Sequence, residues 1–135
     1  MMYITGQQAL NLPCGLLTCG DWHMSALQWR DLNFRNSEKS IFADYGIEFN
    51  KAVPEHKERY NVANHIRALL DLLELKKFTV AQGMNKDFIC NDDYDEEIFG
   101  KVLLLRNTEQ WESIDNFMGK EYMRKWLNYK QSQNL

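Results

Sequence analysis

The chain is short of punctuation and of cysteine. It has two prolines, Pro13 and Pro54, and seven glycines in 135 residues. Collagen-like and Pro/Gly-rich disordered classes are thereby excluded. It has three cysteines, Cys14, Cys19 and Cys90. An odd count at irregular spacing is no disulfide framework, and a reducing cytoplasm is the expected compartment. No apolar run approaches the length of a membrane span. The N-terminal "MMYITGQQALNL" has no basic region ahead of an apolar core, so no signal peptide is expected. Basic excess is also missing. The net charge is −3, against a general nucleic-acid binder, whose phosphate contacts need a positive surface.

Enzyme signatures are missing too. There is no GxxxxGK[ST], no GxGxxG, no HExxH and no G-x-S-x-G. Internal repeats and low-complexity tracts are not found.

What is present is ordinary globular composition, 44% apolar and 26% charged, with aromatics at 13%. The length fits one domain spanning residues 1–135, large enough to bury a core without metal or disulfide support. Charge is uneven along the chain. Residues 51–90 carry seven Lys/Arg against five Asp/Glu, and residues 91–106 carry two against five.

The strongest element is "YNVANHIRALLDLLELKK", residues 60–77. Val62, Ile66, Leu69, Leu70 and Leu73 recur at helical spacing, with Asn64, Arg67, Asp71 and Glu74 on the opposite face. "TGQQALNL" reads as a short helix, with Thr5 and Gln8 at capping-box spacing. "SALQW" reads as a short helix or strand, "NFRNSEKS" as a surface loop and "YGIEFNKAV" as a strand. "FTVAQG" and "KDFIC" read as further short strands. Residues 93–106 read as a helix. The tail reads as a helix from Asn107, whose pairing with Gln110 again has capping-box spacing, with Gly119 as cap or interruption. The expected fold is α+β: mainly helical, with a few short strands in the first two-thirds.

The segment richest in chemistry is "PCGLLTCGDWH", residues 13–23. Cys14, Cys19 and His23 form a C-x4-C-x3-H pattern of zinc-ligand types, with Cys90, His56 or His65 available as a fourth. The second paired spacing of a zinc site is missing, so no metal is favoured. The plainer expectation is that the cysteines and Trp22 fill core space. Asp21 lies two residues from His23 and could orient its ring or cap a following helix. Cys19 with His23 or His65 could form a thiolate pair. The catalytic candidates are therefore Asp21, His23 and His65.

Other clusters carry two readings each. Asn61, Asn64, His65 and Arg67 make a donor-rich start to the main helix, suited to a phosphate or a partner carboxylate. "NDDYDEE", residues 91–97, lacks the Gly and Glu of an EF-hand loop. It reads better as carboxylates in a first helical turn, with Asp92 or Asp93 as cap. Trp111, Tyr122, Trp126 and Tyr129 are either core or a docking face. With Arg67 they are the partner-binding candidates.

Two functional expectations follow. The first is a small cytoplasmic, non-catalytic interaction or regulatory module, such as an antitoxin-like subunit, that binds another protein and is compatible with self-association. The second is a small enzyme, or a metal-dependent protein acting on nucleic acid, built around Asp21, His23 and His65. The first requires an exposed apolar patch. The second requires its side chains to converge on one pocket.

Overall fold

The structure, a computed structural model, describes residues 1–20 and 23–134. Its sheet has four strands: β1 (Met2–Ile4), β2 (Phe34–Asn36), β3 (Ile47–Ala52) and β4 (Arg59–Ala63). The order is β2-β1-β4-β3. β1 is antiparallel to β2 and parallel to β4, while β3 and β4 form an antiparallel hairpin. The hairpin register shifts between Glu48 and Lys51, where Asn50 takes a left-handed conformation at φ 57°. Asn tolerates that conformation better than most residues, and a bulge needs it.

Among the described residues six α-helices complete the fold: α1 (Gly6–Leu10), α2 (His65–Glu74), α3 (Phe78–Ala81), α4 (Asp95–Val102), α5 (Trp111–Tyr122) and α6 (Arg124–Ser132). The architecture is α+β, with the sheet in the N-terminal half. α2 is the central element. It contacts α1, β4, α3 and α4. Residues 65 to 73 are all buried. The polar face anticipated for Arg67 and Asp71 is therefore not a solvent face.

The long helix expected over 60–77 divides. Residues 59–63 pair with β3 as β4, and Asn64 begins α2 by accepting the Arg67 N–H at 2.8 Å. At the other end Lys76 turns left-handed at φ 63°. Its N–H and that of Lys77 close onto the Leu73 and Leu72 carbonyls, a Schellman stop.

Neither capping box forms. Thr5 Oγ1 donates to Asp71, and Gln8 reaches across to Gln28, Asp31 and Asn33. Gln110 Nε2 donates to the Glu74 carbonyl and so ties α5 to the end of α2. "NFRNSEKS" is not a loop: it supplies β2 and a 3-10 turn over Ser37–Lys39, because β1 offers it a partner. "FTVAQG" and "KDFIC" are not strands. They form α3 and a π-helical turn, Met84–Ile89. Their buried residues Ala81, Met84 and Ile89 follow helical intervals, which short apolar runs do not reveal from sequence.

The expected 93–106 helix is shorter as an α-helix, with 3-10 turns over Asp92–Tyr94 and Leu103–Leu105 at its ends. Asn91, not Asp92 or Asp93, accepts the capping N–H. The C-terminal break falls at Met123, φ 53°, and Gly119 lies inside α5.

Candidate functional site

The segment from Leu12 to Gly20 wraps the N-terminus of α2. His65, the first residue of α2, is 2% exposed and staples it. Its Nε2 lies 2.7 Å from the Leu12 carbonyl oxygen, and its Nδ1 lies 2.6 Å from Thr18 Oγ1. A carbonyl can only accept, so the network assigns the proton to Nε2 and makes Nδ1 the acceptor of the Thr18 hydroxyl. Gly20 passes so close that a Cβ there would sit 2.5 Å from His65 Cε1, so only glycine fits. Further along, Gly15 N–H donates to Glu48, Leu17 N–H donates to the Tyr94 hydroxyl, and the Cys19 and Gly20 amides both donate to Phe88 O.

Cys14 completes a chain. Its Sγ lies 3.8 Å from Thr18 Oγ1. Burial by itself would raise this thiol. The proximity of His65, side chain and backbone, and of the Leu16 amide outweighs burial and holds it below the ordinary thiol range. Sulfur, hydroxyl, imidazole and the Leu12 carbonyl thus lie in one continuous chain of contacts. Thr18 was not a sequence candidate, because nothing in a lone threonine four residues after a cysteine marks it.

The zinc pattern is not assembled. Cys14 turns to Thr18 and His65, whereas Cys19 meets Cys90. Among the described residues no group of three or more His, Cys, Asp or Glu gathers as metal ligands. The expectation that the cysteines fill the core is corrected: Cys14 is half-buried and Cys19 and Cys90 are exposed, because the segment lies on the surface of α2. Asp21 and Trp22 lie outside the described residues. His23 and His65 attach to the same end of α1, through Asn11 Oδ1 and the Leu12 carbonyl. His23 lines a pocket of about 340 Å³ with Asn11, Asp87 and Phe88, which His65 does not line.

The partner-binding candidates divide. Trp126 and Tyr122 are sealed in the core, and Trp111 and Tyr129 are half-buried. Tyr122, Trp126 and Tyr129 each pack edge-on around Phe99, and Trp111 tilts against Trp126. The break at Met123 folds α6 back far enough for Trp126 Nε1 to donate to Asp115 at 2.8 Å. These aromatics join α4, α5 and α6, which is a packing role. Arg67 is wholly buried. It donates to Asp71, to the Tyr3 hydroxyl and to carbonyls of Ala43 and Tyr45. At 0% exposure it presents no surface to a partner carboxylate.

An exposed apolar surface lies elsewhere. A groove of about 510 Å³ runs between β1, β2 and the C-terminal half of α2. Met2, Phe34 and Leu75 line it, each 42–54% exposed, over the buried floor of Leu72. Its charged lining is Arg35, Lys39 and Lys77 against Asp71 alone. Arg35 is spent on Asp71 and Glu74. Lys39 and Lys77 are exposed and make no ion pair among the described residues. β2 is an edge strand, with one side unpaired. One sequence signal pointed here: Phe34, an aromatic inside an otherwise polar stretch.

No known family model matches the chain, and no curated protein or solved structure shows detectable similarity to it. No helix among the described residues is long and apolar enough to cross a membrane.

Proposed function

We propose that this protein is an interaction module that binds an acidic, amphipathic segment of a partner protein in the groove beside β2. The observation that carries the reading is the coincidence of three exposed apolar side chains, Met2, Phe34 and Leu75, with two unpaired lysines, Lys39 and Lys77. Apolar side chains of the partner would enter between Phe34 and Leu75, and its carboxylates would meet the lysines. The charge argument is local. The chain carries −3 overall, so a positive groove stands out against an acidic background. The test is selection of random peptides displayed against the folded protein. Peptides combining Asp or Glu with spaced apolar residues should be enriched, and should not be retained by a Lys39→Glu/Lys77→Glu variant. Peptides without that composition, or retained equally by the variant, would remove the groove from the account.

A second reading rests on a different observation, the Cys14–Thr18–His65 chain. It supports thiolate chemistry at Cys14, with His65 as base and the Leu12 carbonyl holding the ring. This moves the chemistry expected around His65 from Cys19 to Cys14.

A further inference from the structure

Two thiols from distant parts of the chain meet at the surface. The Cys19 and Gly20 amides both donate to the Phe88 carbonyl, at 2.9 and 3.0 Å, and so bring the segment holding Cys19 against the end of the π-helical turn. Cys90 follows two residues later in a left-handed conformation, φ 53°. Its thiol donates to the Lys86 carbonyl at 3.0 Å and lies near enough to the Cys19 thiol for the two to interact electrostatically. Both cysteines are exposed. Cys14 faces away, toward Thr18 and His65.

We propose that Cys19 and Cys90 are a redox modification site, an intramolecular dithiol that a peroxide converts to a disulfide. Burial and the neighbouring Cys19 thiol push Cys90 up to about 11, and its proton is held on the Lys86 carbonyl. The Cys19 thiolate takes one peroxide oxygen. An S–O bond forms, the O–O bond breaks and hydroxide leaves, picking up a proton to become water. The Cys90 sulfur then attacks Cys19 sulfur. The S–S bond forms, the S–O bond breaks, and the hydroxyl leaves as water with the Cys90 proton. In sum, two thiols lose two electrons and two protons and one peroxide becomes two waters. The new bond would clamp the Leu12–Gly20 segment, with Cys14 on it, onto the π-helical turn.

The test treats the full chain with hydrogen peroxide. Free thiols are then blocked under denaturing conditions, and unreduced peptides are mapped by mass spectrometry. The expected product is one Cys19–Cys90 cross-linked peptide pair, about 2 Da lighter than the reduced pair and released by dithiothreitol. Cys14→Ser should still form it, whereas Cys19→Ser and Cys90→Ser should not. Both of the latter positions are exposed, so these variants keep the fold, which circular dichroism checks. Sulfenic or sulfinic acid on separate cysteines without a cross-link would overturn the proposal. So would a bond to Cys14, or a bond between two chains.

Discussion

Arg67 and Asp71, one turn apart on α2, form an ion pair at 2.9 Å with side chains 0% and 1% exposed. Asp71 also accepts from Tyr3 Oη, Thr5 Oγ1 and Arg35 Nη1, each at 2.6 Å. One carboxylate thus joins β1, the start of α1, β2 and α2. The Arg67 guanidinium lies 4.9 Å from the centre of the Tyr3 ring. Burial, and then the hydrogen bond to Asp71, drive the Tyr3 hydroxyl well above its ordinary range. Such a network fixes a unique arrangement only while every member is present.

Asp71→Ala would leave the wholly buried Arg67 guanidinium without its counter-charge. It should lower the unfolding free energy by about 3–5 kcal/mol, read from urea denaturation followed by tryptophan fluorescence. A loss below about 1 kcal/mol would mean that the buried pair does not organise the fold.

Cys14 should react with iodoacetamide at lower pH than an ordinary thiol, although it is the least exposed of the three cysteines. The sign follows from its lowered pKa: the thiolate fraction, and so the rate, rises before that of an unperturbed thiol as pH increases. Thr18→Val or His65→Asn should shift the Cys14 profile toward higher pH by breaking the relay. A Cys14 profile that these substitutions leave unmoved would show that the relay does not tune the thiol.

How far the sequence foretold this arrangement depends on whether a residue's partner was nearby in the chain. The apolar stripe of α2 was legible, because Ile66, Leu69, Leu70 and Leu73 repeat locally. The burial of Arg67 and Asp71 was not, because it depends on Tyr3 and Arg35, which reach α2 only through the sheet. The aromatics at Tyr122 and Trp126 look like a docking face until the turn at Met123 folds them onto Phe99. The opening of α2 inside residues 60–77 was missed for a related reason: β4 is a strand because β1 and β3 flank it. The concentration of reactive residue types in residues 13–23 was legible in the chain itself. The pairing of Cys14 with His65, and of Cys19 with Cys90, needed the fold.

Asp115 holds α6 against α5 by accepting from Trp126 Nε1 and from Lys130 Nζ at 2.7 Å. Burial raises its pKa, but the Lys130 and Trp126 hydrogen bonds outweigh it and the net shift is downward. A carboxylate with a depressed folded value stabilises the protein above its unfolded value, and that contribution is lost as pH falls through the folded one. Asp115→Asn should therefore melt at a lower temperature than the parent near neutral pH. The gap should close as pH drops below about 4. Thermal melts across that range check it, and a gap that is independent of pH would assign the effect to packing alone.

The most direct measurement for the proposed function is a calorimetric titration of the most enriched acidic, amphipathic peptide into the protein. Wild type should bind it with an affinity that falls several-fold as salt rises from about 50 to 300 mM, because exposed lysine contacts are screened. Lys39→Glu/Lys77→Glu should weaken it at least roughly tenfold, about 1.4 kcal/mol, and Phe34→Asp should do the same through the apolar contact. Equal affinity for all three proteins, or binding indifferent to salt, would contradict the account of the groove as the partner's seat.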